Sequence, residues 1–510
     1  MALAARNSVQ SAYDHIIIGG GSAGCVVAAR LSEQGDRRVL LVEAGGPDFD
    51  RPSMVEPGHW LANRGSDATW LHRTAPQANL DGRVIDWNRG KVLGGSSTIN
   101  AMTWVWGHRA DFDGWASEGN CGWDFASLRP IFKQIETCGR VGPGGARGTR
   151  GPMKVYSFSD EEPLVEAFLA SCREAGHALV NDVNGPDEEG ASAGDMNVRD
   201  GRRFSVAQAY LLPVLGRGNL TVLTHTLVES LMFDGTRCAG IRCLIDGQPR
   251  EIRSDHDIVL AAGSMESPRL LMVSGVGNAD HLTRFGIRPV ADLPGVGENL
   301  HDHCLLRTFT TEREWGAVSP RLEAHLLMRS NRSLPLPDLD IGLTRASTVV
   351  PGPRSGGGFT LLAGLFRPRS RGRLALTAAD VRAPLHIDPN YLSDPADMDA
   401  LCAGAEASIE LGMSSALSRW HDGELQVAPS AKSELRGFIK RTVDSYNHPV
   451  GTCAMGLGEC AVVDPALRVH GIANLRVADN SVMPDITTGH TLAPTLVIAE
   501  RAASMISASS

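Results

Sequence analysis

The stretch YDHIIIGGGSAGCVVAARLSEQGDRRVLLVEAGG, from Tyr13 to Gly46, constrains this chain more than any other. It runs from an apolar segment (His15 to Ile18) through consecutive glycines and a small-residue segment to a second apolar run (Val39 to Val42) that ends on Glu43. Two short apolar runs around a glycine turn and a helix predict a βαβ unit, and such a unit commits the chain to a parallel sheet covered by helices. Gly19, Gly21 and Gly24 satisfy the spacing GxGxxG. The first allows a tight turn, the second lets backbone approach a pyrophosphate, and the third lets the helix pack close to the strand. The helix N-terminus then faces negative charge. Glu43 ends the second strand, where a carboxylate accepts hydrogen bonds from both ribose hydroxyls of an adenosine and repels a phosphorylated ribose. The unit does not choose between FAD and NAD, which present the same adenosine diphosphate.

At 510 residues the chain exceeds one core and predicts about two to three domains. A net charge of -9 with no basic block argues against nucleic acid or a polybasic membrane anchor, so a small molecule is the expected partner. The 10 cysteines show neither CxxC nor zinc spacing and read as buried thiols, and no metal site is expected. Without an apolar run of about 18 residues, neither a secretory signal nor a membrane span is expected, and the predicted compartment is the cytoplasm.

Two further segments bear on the ligand. WNRGKVLGGSSTINAMTWVWGHRADFDGWA, from Trp87 to Ala116, has almost no side chains at Gly94 to Ser97, so a planar ligand can lie against backbone there; a helix is expected at 111 to 116. AAGSMESPRLLMVSGVG, from Ala261, follows the apolar strand DIVLAAG and predicts a helix with Ser267 and Pro268 at cap-like positions. On these segments the chain resembles the glucose-methanol-choline (GMC) flavoprotein oxidoreductases. The resemblance continues through PGVGENLHDH, IDPNYLSDPADM and the tail from His448, and so covers nearly the whole chain.

The resemblance implies FAD as cofactor and oxidation of an alcohol by hydride transfer to the flavin. It implies an α/β fold: a discontinuous Rossmann-like FAD-binding domain and a substrate domain of antiparallel sheet covered by helices. The expected boundaries are 13–155, 205–305 and 440–510 for the first, with 156–204 and 306–439 for the second. By the same resemblance Gly19, Gly21, Ser22, Gly24 and Glu43 match the adenosine diphosphate site, and Val228, in the strand-like TVLTHTLVESLMF, matches the position whose backbone meets the adenine. Arg89, Gly90, Gly94, Asn100 and Met102 match the loop that passes the isoalloxazine ring, and Asp479 matches the residue over the pyrophosphate and ribityl chain. Some family members attach FAD through a histidine where this chain has Arg89, so noncovalent FAD is expected.

Loss of hydride from an alcohol needs the hydroxyl proton removed, because an alkoxide donates hydride far more readily. His448, in the loop-like SYNHPVGTCAMG, is the candidate general base, since an imidazole of ordinary pKa is neutral and basic near pH 7. His490, just before the apolar TLAPTLVIAERAASMI, matches the second member of the family's active-site pair, a histidine or asparagine that donates a hydrogen bond to substrate oxygen. In the family, the helix after it points its N-terminus at the flavin edge that becomes negative. The HDH of His301 to His303 reads as structural, and Glu229, Asp302 and the charged GDMNVRDGRR (Gly194 to Arg203) are given no chemistry.

RGRLALTAADVRAPLHIDPNYL reads as short alternating segments around a turn, and Asp394 to Met413 as a helix capped by Ser393. Compact length and NVRDGRRFSVAQAYL resemble the bacterial branch that contains pyridoxine 4-oxidase and hydroxymethylfurfural or aryl-alcohol oxidases, which implies a primary alcohol on a flat ring. Tyr446 and Asn447 before His448 depart from pyridoxine 4-oxidase and argue against pyridoxine itself. Dioxygen is the favoured acceptor over another electron acceptor. The alternatives are a dehydrogenase of aliphatic or choline-like alcohols, a lyase or decarboxylase on the same FAD scaffold, and a flavin-bearing binding or electron-transfer module.

Overall fold

A computed structural model of the chain describes residues 9–47, 50–140, 146–159, 162–185, 189–311, 321–345, 358–421 and 425–509. The βαβ unit forms as its sequence predicts, with strand His15–Ile18, helix Ser22–Leu31 and strand Val39–Val42. Both strands are buried throughout, as expected of runs covered on two faces. They belong to a five-stranded parallel sheet in the order Leu220–Leu223, Val39–Val42, His15–Ile18, Ile258–Leu260, Leu475–Val477. The next strand in sequence lies on one side of His15–Ile18 and Ile258–Leu260 on the other, so the loop after Ile18 opens at a topological switch point, where ligands bind in such sheets.

Helix Ser22–Leu31 is held between this sheet and the C-terminal helix Leu492–Ser509. A Cβ on Gly24 would lie 1.9 Å from the Gly19 carbonyl oxygen, which is why the third glycine of the motif is required. Glu500 fastens the two helices: it accepts from Arg30 Nε at 2.8 Å and Nη2 at 2.9 Å, and from the Tyr210 hydroxyl at 2.8 Å.

The second large sheet is antiparallel, in the order Leu425–Val427, Cys304–Thr311, Thr360–Leu365, Leu339–Thr344, Leu322–Met328, Gly190–Ala193, with Asp444–Ser445 also pairing Cys304–Thr311. Helices Pro395–Gly412 and Pro163–Glu174 pack on it. This is the expected two-domain α/β fold, with an antiparallel sheet roofed by helices. The alternating segments near residue 380 form a separate antiparallel ribbon, Arg373–Ala375 with His386–Asp388.

Several local expectations are corrected. Asp394, not Ser393, caps helix Pro395–Gly412, its carboxylate accepting from Ala396 N, with Pro395 in the first turn. Helix Gly263–Val273 begins upstream of Ser267 and Pro268 and contains both. Pro268 offers no N–H to the Ser264 carbonyl, and the Thr452 hydroxyl donates there instead at 2.7 Å. The run TVLTHTLVESLMF is two strands, Leu220–Leu223 and Leu227–Asp234, divided where His225 takes the left-handed conformation (φ 53°). The helix expected at 111 to 116 spans Arg109–Ser117. Among the cysteines, Cys121 and Cys460 are exposed rather than buried. No helix among the described residues is long and apolar enough to cross a membrane.

Candidate active site

Between the two sheets lies a cavity of about 1660 Å³, larger than the roughly 300–1,000 Å³ of an ordinary small-molecule site and roomy enough for a dinucleotide with a substrate beside it. Two glycine loops meet at its floor, backbone against backbone. Gly94 N donates to the Gly20 carbonyl at 2.8 Å, the Ser22 hydroxyl donates to the Gly94 carbonyl at 3.3 Å, and a Cβ on Gly95 would come within 2.7 Å of Gly21 Cα. Gly21, Ser22, Arg89, Gly90, Asn100, Met102, Asp479, His448 and His490 all line the cavity. Gly19, Gly24, Glu43, Gly94 and Val228 are not among its lining residues. Glu43 is buried, with Oε2 accepting from Gly20 N and Oε1 from Gly45 N, each at 2.8 Å, and burial pushes its carboxyl up to about 7. Val228 is buried just beyond Thr226, whose N–H donates to the Glu43 carbonyl, and the strand bulges immediately after it. Asp479 caps the N-terminal end of helix Gly263–Val273, taking the Gly263 N–H at 2.8 Å and the Ser267 hydroxyl at 2.6 Å on one oxygen.

The ring-side loop is held by a residue that charge pattern alone hides. Arg203 is 1% exposed and donates to the carbonyls of Met54, Ser97 and Asn100 and to Asn100 Oδ1, while Asn100 Oδ1 also accepts from Met102 N. Within the charged stretch Gly194 to Arg203, Arg203 is thus a buried contact, and so is Asp195, which lies against Arg147 at 2.7 Å. Arg202 and Arg203 are neighbours on a strand and point to opposite sides, the first exposed and the second buried.

His448 and His490 meet edge to face with ring centroids 4.9 Å apart. His448 Nδ1 lies 3.0 Å from His303 Nδ1, and His303 Nε2 lies 3.1 Å from the Phe366 carbonyl oxygen. A carbonyl only accepts, so His303 carries its proton on Nε2 and presents a bare Nδ1; His448 must then donate from its own Nδ1. That fixes the tautomer of His448 with Nε2 unprotonated, and Nε2 has no hydrogen-bond partner among the described residues. Burial, His303 and Arg89 together hold the imidazole well below its ordinary pKa. His490 is likewise depressed, by burial first, and its Nε2 is buried without a hydrogen-bond partner among the described residues.

The HDH segment packs directly against the His448 loop. Asp302 accepts from His448 N at 2.8 Å, from the Ser445 hydroxyl at 2.5 Å and from the Tyr391 hydroxyl, and burial raises its carboxyl to about 6. The preceding Asn447 takes a left-handed conformation (φ 60°), a region asparagine tolerates, while its side chain accepts from Asn88 N and its carbonyl accepts from Arg89 Nη1 at 2.6 Å. The loop bearing His448 is pinned from both sides. Tyr446 stacks on the imidazole at 5.2 Å, and beyond it Leu305, Leu322 and Leu362 form one apolar cluster with Tyr446 on the antiparallel sheet. No group of three or more histidine, cysteine, aspartate or glutamate side chains among the described residues could hold a metal.

Profiles of the GMC oxidoreductase family match residues 13–305 and 368–499. The chain belongs to the GMC oxidoreductase family. Mouse (Mus musculus) mitochondrial choline dehydrogenase is 37% identical, aligned over 97% of this chain and 89% of its own. The alcohol dehydrogenase [acceptor] of Pseudomonas putida is 34% identical over 97% and 95%. The crystal structure of pyridoxine 4-oxidase from Mesorbium loti superposes with a TM-score of 0.91 at 36% identity, covering 97% of this chain and 99% of that one. GMC oxidoreductases bind FAD, and this chain is a flavoprotein acting on an alcohol. Its own residues fit that cofactor: the paired glycine loops present backbone to the cavity, and Ser264 Oγ, on a residue that lines it, is buried without a hydrogen-bond partner among the described residues, while Glu266 Oε1 lies 3.4 Å from His72 Nε2.

Proposed function

We propose that this GMC oxidoreductase oxidises a primary alcohol on an aromatic or heteroaromatic ring to the aldehyde, with His448 as general base and His490 as hydrogen-bond donor to the substrate oxygen. FAD is held noncovalently by Gly19, Gly21, Ser22, Gly24 and Glu43 at its adenosine end, with Val228 at the adenine. Arg89, Gly90, Gly94, Asn100 and Met102 hold the ring end, with Asp479 between. Bound FAD supplies the acceptor for the hydride that leaves the alcohol carbon. His448 Nε2 takes the hydroxyl proton, and the charge that results is relieved through the Nδ1–H bond to His303.

The relay from the Phe366 carbonyl through His303 to His448 carries this reading, because it leaves a bare nitrogen at the position where a base is needed. The ring preference rests on the aromatic wall of Tyr446 and the leucine cluster behind it. A choline-like substrate, the activity named for the mouse relative, needs a carboxylate free to face a cation. Asp444 faces Arg307 at 3.9 Å, while Glu56 and Glu266 also line the cavity, so choline belongs in the substrate panel. Dioxygen is the proposed acceptor, since Arg89 sets a positive charge beside His448.

Anaerobic mixing of the holoenzyme with benzylic, furanic, pyridine and aliphatic alcohols, and with choline, tests the proposal. Ring-borne primary alcohols should bleach the flavin fastest, and air should restore its colour with formation of hydrogen peroxide. Faster bleaching by aliphatic alcohols or choline would overturn the substrate reading. Flavin that stays reduced in air until a dye is added would overturn the oxidase reading, and no bleaching by any alcohol would point to lyase or decarboxylase chemistry.

A further inference from the structure

The antiparallel strand Cys304–Thr311 starts beside His303 and runs outward along the cavity, with Leu305 and then Arg307 lining it. Arg307 sits opposite Leu362, on the same face as the leucine cluster. Its side chain is 30% exposed, and among the described residues its Nε is buried without a hydrogen-bond partner and its one ion-pair partner, Asp444, is 3.9 Å away, beyond hydrogen-bond reach. Of the other arginines on this wall, Arg345 is matched, whereas Arg321 Nε is also buried without a hydrogen-bond partner among the described residues. Arg345 donates Nε and Nη2 to Glu323 at 3.0 Å, and the same carboxylate lies 3.6 Å from Arg321. Arg64 also lines the cavity, and its charge opposes that of Arg307. Arg307 and Arg64 both line the cavity, Asp444 already spends an oxygen on Ser445 N at 2.9 Å, and Glu56, which also lines the cavity, is exposed.

We propose that Arg307, with Arg64 beside it, is an anion-binding subsite, so that the alcohol oxidised here carries a carboxylate on its ring at the end remote from the hydroxymethyl group. This deepens the aromatic-alcohol reading and rests on it. A planar carboxylate matches the guanidinium fork, as a neutral substituent does not. From His303 to Arg307 the strand advances about 13 Å at its ordinary rise, a span that one ring substituted at both ends bridges with the arginine side chain. The leucines accept a flat apolar body, and the guanidinium groups of Arg307 and Arg64 favour a negative end on it over the opposition of Asp444.

The test compares 4-(hydroxymethyl)benzoate with 4-methylbenzyl alcohol by anaerobic flavin reduction in the parent and in Arg307→Met and Arg307→Lys holoenzymes. The parent should favour the carboxylate by roughly 10- to 100-fold in the second-order rate, the size expected of a charge-assisted hydrogen bond. Arg307→Met should bring that ratio towards one, and Arg307→Lys should restore part of it. Binding of 4-methylbenzoate, which has no alcohol to oxidise, to the oxidised holoenzyme should weaken by a similar factor in Arg307→Met, and in the parent it should weaken with added salt. A ratio near one in the parent, or a 4-methylbenzoate affinity indifferent to both salt and Arg307, overturns the subsite. If neither aryl alcohol bleaches the parent, the aromatic reading fails, and the 4-methylbenzoate measurements still decide whether Arg307 binds an anion.

Discussion

Protonation separates His448 from an ordinary surface histidine. Burial first, then His303 and the Arg89 charge, keep its imidazole neutral well below pH 6.5, so flavin reduction should hold its rate as pH falls through 6.5 and decline only at more acid pH. Arg89→Met removes that charge and should move the acid limb upward; stopped-flow reduction across pH checks both, and a limb near 6.5 in the parent, or one indifferent to Arg89, would count against the base assignment. His448→Ala should retain FAD and slow reduction by roughly 10² or more. His490→Ala should also slow it, with His490→Asn recovering part because an amide still donates; equal rates in parent and alanine variants would remove both from the chemistry. His448 and His490 were legible because each lies in a contiguous motif. His303, Asp302 and Arg203 were not, because the chain around them reads as charge and loop, and only folding brings His303 against His448 and Arg203 under the Asn100 loop.

Among elements, helix Ser22–Leu31 carries the tightest requirement. Its Gly24 faces the Gly19 carbonyl at a distance no Cβ can occupy, so Gly24→Ala must lift the helix from the strand and widen the turn that receives the pyrophosphate. The variant should lose FAD on gel filtration and lose stability by about 1–3 kcal/mol, whereas Gly35→Ala, where an added Cβ meets nothing within 4 Å, should do neither. Full FAD occupancy in Gly24→Ala would show that the helix has room that the geometry denies it. This unit was readable from sequence because glycine spacing and apolar runs are local. The start of helix Gly263–Val273 was misplaced for the opposite reason: the Thr452 hydroxyl, remote in sequence, satisfies the carbonyl that Pro268 strands, so the proline does not mark the helix start.

Over the whole molecule, buried histidines set the response to acid. His72, held down to about 3, and His301, His303, His448 and His490 are all depressed, mainly by burial. Each contributes stability that is present above the ordinary imidazole value and lost as pH falls below about 6.5, where the unfolded chain takes up protons the native protein refuses. Asp302 and Glu43, raised to about 6 and about 7, act in the opposite sense, losing stability as pH rises towards those values. With His15, His177 and His281 also depressed and Asp111, Glu118 and Glu266 also raised, eight histidines stand against five carboxylates, so the midpoint of thermal unfolding should fall between pH 7 and pH 5 at constant ionic strength. A midpoint that is flat or rises over that interval would contradict the account. The parallel sheet and its glycine loops were visible in sequence, but the order of the antiparallel sheet was not, since its strands come from four separated stretches of chain.

The strand Cys304–Thr311 has a consequence for descent. It begins where the base is oriented and ends where the cavity wall is built, yet the two duties fall on different residues. No hydrogen bond to His448 passes through Leu305, Leu322 or Leu362, so a lineage can exchange those side chains and acquire a new diet while inheriting its chemistry intact. Mutations at His303 or Asp302 offer no such freedom, because they disturb the base whatever the substrate. Divergence among descendants of this scaffold should therefore collect on one face of one sheet, a few residues from positions that selection holds still.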